Sequence, residues 1–300
     1  MAKRVARSSS ERAGENADWT ACACARDEFV ARVRQRGSEL YRDLPWRNVD
    51  DAYAVLVSEV MLQQTQVTRV LKYWARWFEL FPNVDALAAA DTATVLEAWQ
   101  GLGYNRRALA LKRACEQCSA QWAGSLPRTV ADLVELPGIG PATAAGVVAF
   151  AYDEPAVYLE TNVRSVFLHE LFPNSERVPD REIVPFVADT CPNEGARAWY
   201  YALLDYGAHL KAQGVNPSRR SAHYTRQSSF EGSHRQKRSF LLKQVLASPE
   251  GLARGELARL LNEEETAAKR PELDEAAFNA LVSELVAEGF FREEGDLLFP

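Results

Sequence analysis

The stretch Leu136–Ala151, LPGIGPATAAGVVAFA, constrains this chain more than any other. A Gly-Ile-Gly turn runs straight into a series of small apolar residues, and no charged side chain occurs across it. Glycine permits turns and close backbone approaches that a Cβ forbids. Pro141 stands where a proline suits the first turn of a helix. The pattern therefore predicts two helices joined by a tight hairpin, the second packed closely because its side chains are small. The first N–H groups of that helix have no intrahelical partner and can donate to a phosphate oxygen without a charged side chain. Gly138, Gly140 and Thr143 are the candidate contact positions. A plain helix–helix corner closed by glycine is the alternative that spacing alone leaves open.

Helical periodicity dominates the rest, and no strand alternation lasts long before the C-terminus, so the expected class is all-α. DEFVARVRQRGSELYRDL reads as a first helix stopped by Pro45. From Tyr53, apolar residues recur at Leu56, Val57, Val60, Met61, Val67, Val70, Leu71 and Trp74, one long or broken helical stripe. DALAAADTATVLEAWQGLGY suggests two short helices and a Gly-rich turn. Thr129 with Asp132 approximates a capping box for a helix ending at Pro137-Gly138. After residue 238, RSFLLKQVLAS, RGELARLL and DEAAFNALVSELVAEG read as three helices. FFREEGDLLFP then reads as a hairpin turning at Glu294-Gly295-Asp296. Three helices and a hairpin is a winged-helix order. The expected domains are a flexible basic tail (1–25), a main helical domain (26–213), a basic linker (214–238) and a winged-helix-like domain (239–300).

Charge is unevenly spread. The net charge is −6, yet Phe240–Pro300 alone holds 6 Lys and Arg against 13 Asp and Glu, a net −7. Lys211–Arg238 instead carries Lys211, Arg219, Arg220, Arg226, Arg235, Lys237 and Arg238 against only Glu231. Such a segment can hold phosphates even in an acidic chain, or serve as a solvated linker. No apolar run approaches the roughly 20 residues of a membrane span. The N-terminal stretch lacks an apolar secretory core, so a cytoplasmic location is expected. Five cysteines without a secretion signal argue against a disulfide framework. Cys115 and Cys118 form a C-x-x-C within a helical pattern that has no second ligand pair, and buried, incidental thiols are expected.

LPGIGPATA followed by VYLETNVRSV resembles the helix-hairpin-helix DNA glycosylase superfamily. LPWRNVDDAYAVLVSEVMLQQTQVTRV and WQGLGYNRRALALKRA resemble its adenine DNA glycosylase (MutY) branch, and the likeness runs from about Leu44 to Gly207. The resemblance implies a two-lobed helical fold with a DNA-binding cleft, and a target base flipped out of the duplex at a cost of a few kcal/mol.

Cleaving a purine N-glycosidic bond needs an acid for the leaving base and a carboxylate for the positive sugar, the logic by which glycoside hydrolases pair two carboxyls. Helical spacing puts Glu59, Gln63 and Gln66 on one face beside the apolar stripe. A carboxyl at the edge of such a stripe should have its pKa raised by desolvation, as suits a proton donor. Glu59 also matches the branch's general acid. Glu160 in LETN takes the place of the superfamily's essential aspartate, one methylene longer. It could equally be a helix N-terminal residue favoured by the macrodipole. Asn162 matches an active-site asparagine. Ala142 replaces the nucleophilic lysine of bifunctional relatives, and the branch often carries Ser or Tyr there. A Schiff base is excluded, so a monofunctional enzyme with water as nucleophile is implied.

Gln63 and Gln64 match residues used near the flipped base, and Tyr104 matches a tyrosine that wedges into the stack. Arg106 and Arg107 are candidates for phosphate contact. The family usually adds four cysteines that ligate an iron–sulfur cluster. The corresponding stretch, Tyr206–Ser239, has none, so no cluster and no other cofactor or metal is expected. Its Arg and His residues, Arg219 and Arg220 among them, take over the DNA contact. The expected function is base excision repair: hydrolysis of adenine mispaired with 8-oxoguanine or guanine, by a nucleoid-associated monomer acting on duplex DNA. A mismatch glycosylase for T or U opposite G, and a weakly catalytic lesion binder or winged-helix regulator, are the alternatives.

Overall fold

The computed structural model describes residues 17–226 and 228–300. Most of the expected tail (1–16) and Gln227 of the expected linker lie outside them. Helices run in the order α1 (Arg26–Leu40), α2 (Ala52–Leu62), α3 (Val67–Leu80), α4 (Val84–Ala89), α5 (Thr92–Trp99), α6 (Arg106–Trp122) and α7 (Val130–Leu133). Then follow α8 (Pro141–Ala151), α9 (Thr161–Glu170), α10 (Asp180–Thr190), α11 (Ala196–Ala212), α12 (His234–Leu246), α13 (Arg254–Ala267) and α14 (Glu275–Glu288). Strands β1 (Leu252–Ala253), β2 (Arg292–Glu294) and β3 (Leu297–Phe299) lie in the C-terminal region. No helix among the described residues is long and apolar enough to cross a membrane. The chain divides into two compact units: Met1–Val60 with Leu126–Thr225, and Met61–Ser125 with Arg226–Pro300.

The first unit is built around α8 and α11. A helix that is apolar all round belongs in an interior, and every residue of α8 from Thr143 to Ala151 is buried. α7 and α8 form the expected hairpin, with Thr129 capping α7 through the N–H of Asp132. α11 packs on α1, α8 and α9. Two glycines bring these axes close: a Cβ on Gly37 would lie 2.3 Å from that of Ala202, and one on Gly207 would lie 2.3 Å from the carbonyl oxygen of Asn162. Asp205 of α11 is buried. It accepts two hydrogen bonds of 2.7 Å from Arg47 and one of 2.5 Å from Arg42, tying the LPWR turn to α11.

Two expectations change here. Trp19 stacks edge-on against Phe186, and its indole N–H donates to Asp189, so the chain is anchored before residue 25. Part of the expected linker is packed as well. Pro217 and Ser218 are buried, and Val178 and Ala222 exchange backbone hydrogen bonds with Arg220 and Val178 in a parallel bridge. Pairing with residues some 40 positions earlier leaves no local signal.

In the second unit α4 and α5 flank α6. The two short helices begin at side-chain caps, Asn83 and Asp91, as capping residues should. Cys115 and Cys118 are fully buried in α6, and burial pushes both thiols up, Cys118 to about 11. α12 starts at His234, capped by Ser233, earlier than the expected residue 239. The sheet order is β1-β3-β2, all antiparallel, with Glu293 opposite Leu298. Helix, strand, two helices and a hairpin complete the winged-helix order. The acidity of this region is partly neutralised inside the unit. Glu265, buried, holds Lys237 and Arg270, while Glu288 holds Arg106 and Arg238.

Candidate active site

α2 opens with Asp51, whose carboxylate accepts from the amides of Tyr53 and Ala54. Leu56, Val57, Val60 and Met61 are buried. Glu59 lies half-buried beside this stripe, as its spacing predicts. Burial pushes its carboxyl up to about 8; a hydrogen bond from the Tyr158 hydroxyl opposes the shift and the charge of Glu160 reinforces it. A carboxyl in an apolar setting keeps its proton near neutrality because the charged form loses hydration.

Room for that carboxyl comes from α8. A Cβ on Gly146 would lie 2.4 Å from Oε2 of Glu59 and 3.0 Å from the ring of Tyr158. The glycine in the middle of an otherwise unbroken helix is therefore the floor of the site. Tyr158 is itself buried, stacked edge-on against Phe150 at 5.2 Å and Tyr200 at 5.3 Å. Its backbone N–H donates to the Tyr200 hydroxyl at 3.2 Å.

Glu160 caps α9. Its Oε1 accepts from the amides of Asn162 at 2.5 Å and Val163 at 3.0 Å, and Oε2 from the Asn162 side chain at 3.4 Å. Burial leaves this carboxyl raised on balance as well, although the Val163 and Asn162 amides and the Arg164 guanidinium oppose the shift. The two carboxyls thus differ in kind. Glu59 has one hydroxyl partner, whereas Glu160 has a helix N-terminus that favours its ionised form. Neighbouring carboxyls whose surroundings separate them in this way can divide acid and anion roles. The macrodipole reading of Glu160 and the active-site reading meet in one residue. Asn162 joins Glu160 through its backbone and its side chain, and Gly207 lets α11 press against it. Tyr201 of α11 also feels Glu59, and Arg47 lies over its ring at 4.4 Å.

Other candidates fall elsewhere. Gly138 adopts φ +74°, and both Gly138 and Gly140 are exposed at the start of α8, which no side chain caps. Ala142 is exposed and Thr143 buried. Gln63 and Gln66 do not continue the face of Glu59, because α2 ends at Leu62 and Gln66 stands in extended backbone just before α3. The break has a tertiary cause: Arg107 donates to the carbonyls of Met61, Gln63, Leu102 and Gly103, and Gln64 sits at φ +55°. Arg107, largely buried and pushed down to about 10, is thus a fastener of this turn rather than a phosphate ligand. Tyr104 is exposed at φ +51°, its hydroxyl accepting from Arg235 at 2.8 Å. Arg106 is exposed but paired bidentately with Glu288. Arg219 is exposed, whereas Arg220 donates to the carbonyls of Phe172 and Pro173.

Tyr158 and the Arg47–Asp205 pair are absent from the sequence-based candidates. One signal was available for the first. Residues two apart in an extended run share a face, so Tyr158 accompanies Glu160. The residues after α11 do not fit an iron–sulfur cluster, because 207–238 supply no cysteine thiolate. Among the described residues, no three His, Cys, Asp or Glu side chains gather as a metal site.

The likeness to known proteins agrees with this geometry. Residues 57–191 match the family described as "HhH-GPD superfamily base excision DNA repair protein". The adenine DNA glycosylase of Mycolicibacterium smegmatis is 40% identical over 169 residues, covering 56% of this chain and 58% of the relative. That of Mycobacterium tuberculosis is 38% identical over 173 residues, covering 56% and 57%. The chain thus spans little more than half the length of either. A solved thermostable thymine-DNA glycosylase shares the fold with a TM-score of 0.55 and 22% identity, over 61% of this chain and 86% of that one. The hairpin, the Thr129 cap and both carboxyls fall inside the matched stretch, so that residues 57–191 are similar to the HhH-GPD superfamily of base excision DNA repair proteins.

Proposed function

We propose that the protein is a monofunctional DNA glycosylase that hydrolyses the N-glycosidic bond of adenine mispaired with 8-oxoguanine or guanine in duplex DNA. The observation that carries this reading is the unequal pair of carboxyls, Glu59 kept protonated by burial and Glu160 held by two backbone amides. Glu59 donates its proton to the purine as the C–N bond breaks, so the base leaves neutral. Positive charge then develops on the sugar and faces the Glu160 carboxylate. Water adds at the anomeric carbon, and the proton it loses restores Glu59. Ala142 has no amine, so no Schiff base forms and strand cleavage requires added alkali. The α8 N-terminus, through Gly138 and Gly140, contributes amides for a phosphate. The protein works as a monomer in the cytoplasm, bound to the nucleoid, without an iron–sulfur cluster.

Single-turnover incubation with duplexes carrying A opposite 8-oxoguanine, T opposite G, and U opposite G, each followed by alkali, tests the reading. Cleavage at A alone supports it. Cleavage at T or U replaces it with a pyrimidine mismatch glycosylase, and tight binding without cleavage replaces it with a lesion binder.

A further inference from the structure

We propose that Tyr158 is a positioning residue for the acid: its hydroxyl, donating to the Glu59 carboxyl in the slot opened by Gly146, fixes the direction in which Glu59 presents its proton. The inference rests on the reading of Glu59 as general acid.

Three features of the fold aim this hydroxyl. The Tyr158 ring is buried and packs edge-on against Phe150 of α8 and Tyr200 of α11, which hold it in place. Its backbone is pinned by the Tyr200 hydroxyl, which accepts from the Tyr158 N–H and donates to the Ala156 carbonyl. Glycine at 146 removes the one Cβ that would separate ring and carboxyl. A buried tyrosine hydroxyl needs a partner, and the partner is Glu59. A carboxyl has two oxygens. Holding one by a donor leaves the other to carry the transferable proton, so a single hydrogen bond selects the reactive oxygen.

The groups facing Glu59 are few. Glu160, at the head of α9, disfavours its ionisation. Tyr201 of α11 senses it, with Arg47 lying beyond that ring. α8 comes closest to it at Gly146. Tyr158 is thus the group that opposes the upward shift, so removing its hydroxyl moves the carboxyl's ionisation to higher pH. A side chain that merely filled space would leave that midpoint alone.

The test uses the full chain and its Y158F variant in single-turnover cleavage of an A:8-oxoguanine duplex across pH, with Y200F as comparison. Y158F is expected to lower the plateau rate by about tenfold or more, to raise the pH at which activity is lost on the alkaline side, and to leave duplex affinity unchanged. Y200F is expected to lower thermal stability without moving the midpoint. An unchanged rate and midpoint in Y158F, or the same shift in Y200F, overturns the assignment. A readout without turnover separates this from the substrate reading: the infrared carboxyl titration of each protein, taken as a difference against its E59Q counterpart. A higher Glu59 midpoint in Y158F supports the hydrogen bond even if no duplex is cleaved, whereas cleavage with no such displacement sinks it. If Y158F does not fold, uniform fluorotyrosine incorporation strengthens the donor in the unaltered sequence. It should move the Glu59 midpoint down, and an unmoved midpoint counts against the proposal.

Discussion

A Cβ on Gly146 would come within 2.4 Å of Oε2 of Glu59. The nearest atom is the end of a side chain that can turn, so Gly146→Ala displaces the carboxyl rather than the helix. Alanine also gains about 1 kcal/mol of helix propensity over glycine. G146A is therefore expected to melt within a few degrees of the parent while its single-turnover rate falls at least tenfold. Thermal unfolding and cleavage assays on the same preparation decide this, and an unchanged rate would remove Gly146 from the site.

Glu59→Gln is expected to lower the rate by roughly a hundredfold or more, the range for losing a general acid, while sparing DNA binding. It also has a stability signature. Glu59 ionises higher in the folded chain, near 8, than in the unfolded chain. The folded state then holds the proton that the unfolded state releases, so stability falls as pH rises from about 4.5 toward 8. E59Q abolishes this loss. Denaturant titrations should show the variant gaining on the parent by roughly 1–3 kcal/mol at pH 8, a figure discounted for the solvent reaching this half-buried group. Near pH 4 the two should converge.

Glu160 has a structural and a chemical task, and substitutions separate them. Glu160→Ala removes the α9 cap and should cost about 1 kcal/mol. Glu160→Asp keeps a good capping residue, so its melting temperature should match the parent while the cleavage rate changes with the shorter reach. Equal stability of E160A and E160D would show that the cap contributes nothing.

Asp205 pairs in the interior with Arg47, and at its edge with the partly exposed Arg42. Removing one partner of a buried ion pair leaves an uncompensated charge, so Asp205→Ala should destabilise the protein by about 3–5 kcal/mol. Chemical denaturation measures it.

Arg106 is exposed yet engaged by Glu288. If DNA uses this arginine, Glu288→Gln should tighten duplex binding severalfold and steepen its salt dependence. Affinities measured across salt concentrations test this, and identical slopes would place Arg106 outside the interface.

Much of this architecture is legible locally. Thr129 stands before a short apolar run and accepts the expected amide, whereas Ser233 stands before the polar run HRQKRS, which hides the true start of α12. Glu59 and Glu160 are legible through their motifs and through elementary demands on glycosidic chemistry. What escapes is decided by contacts distant in sequence. Gln66 looked helical with Glu59 until Arg107, some 45 residues on, gathers the terminal carbonyls of α2. Tyr158 reads as one more core aromatic, because nothing near it reveals that α8 leaves a gap beside its ring. Residues 217–222 read as solvated because their partner, Val178, lies on another part of the chain.

The cap on α9 has one further consequence. Glu160 surrenders its rotameric freedom when the helix forms, since two amides fix its carboxylate in the native state. On the proposed reaction, an oxocarbenium appearing beside it meets an anion already oriented, and little reorganisation accompanies the charge as it grows. That part of the barrier is lowered during folding, before any DNA arrives.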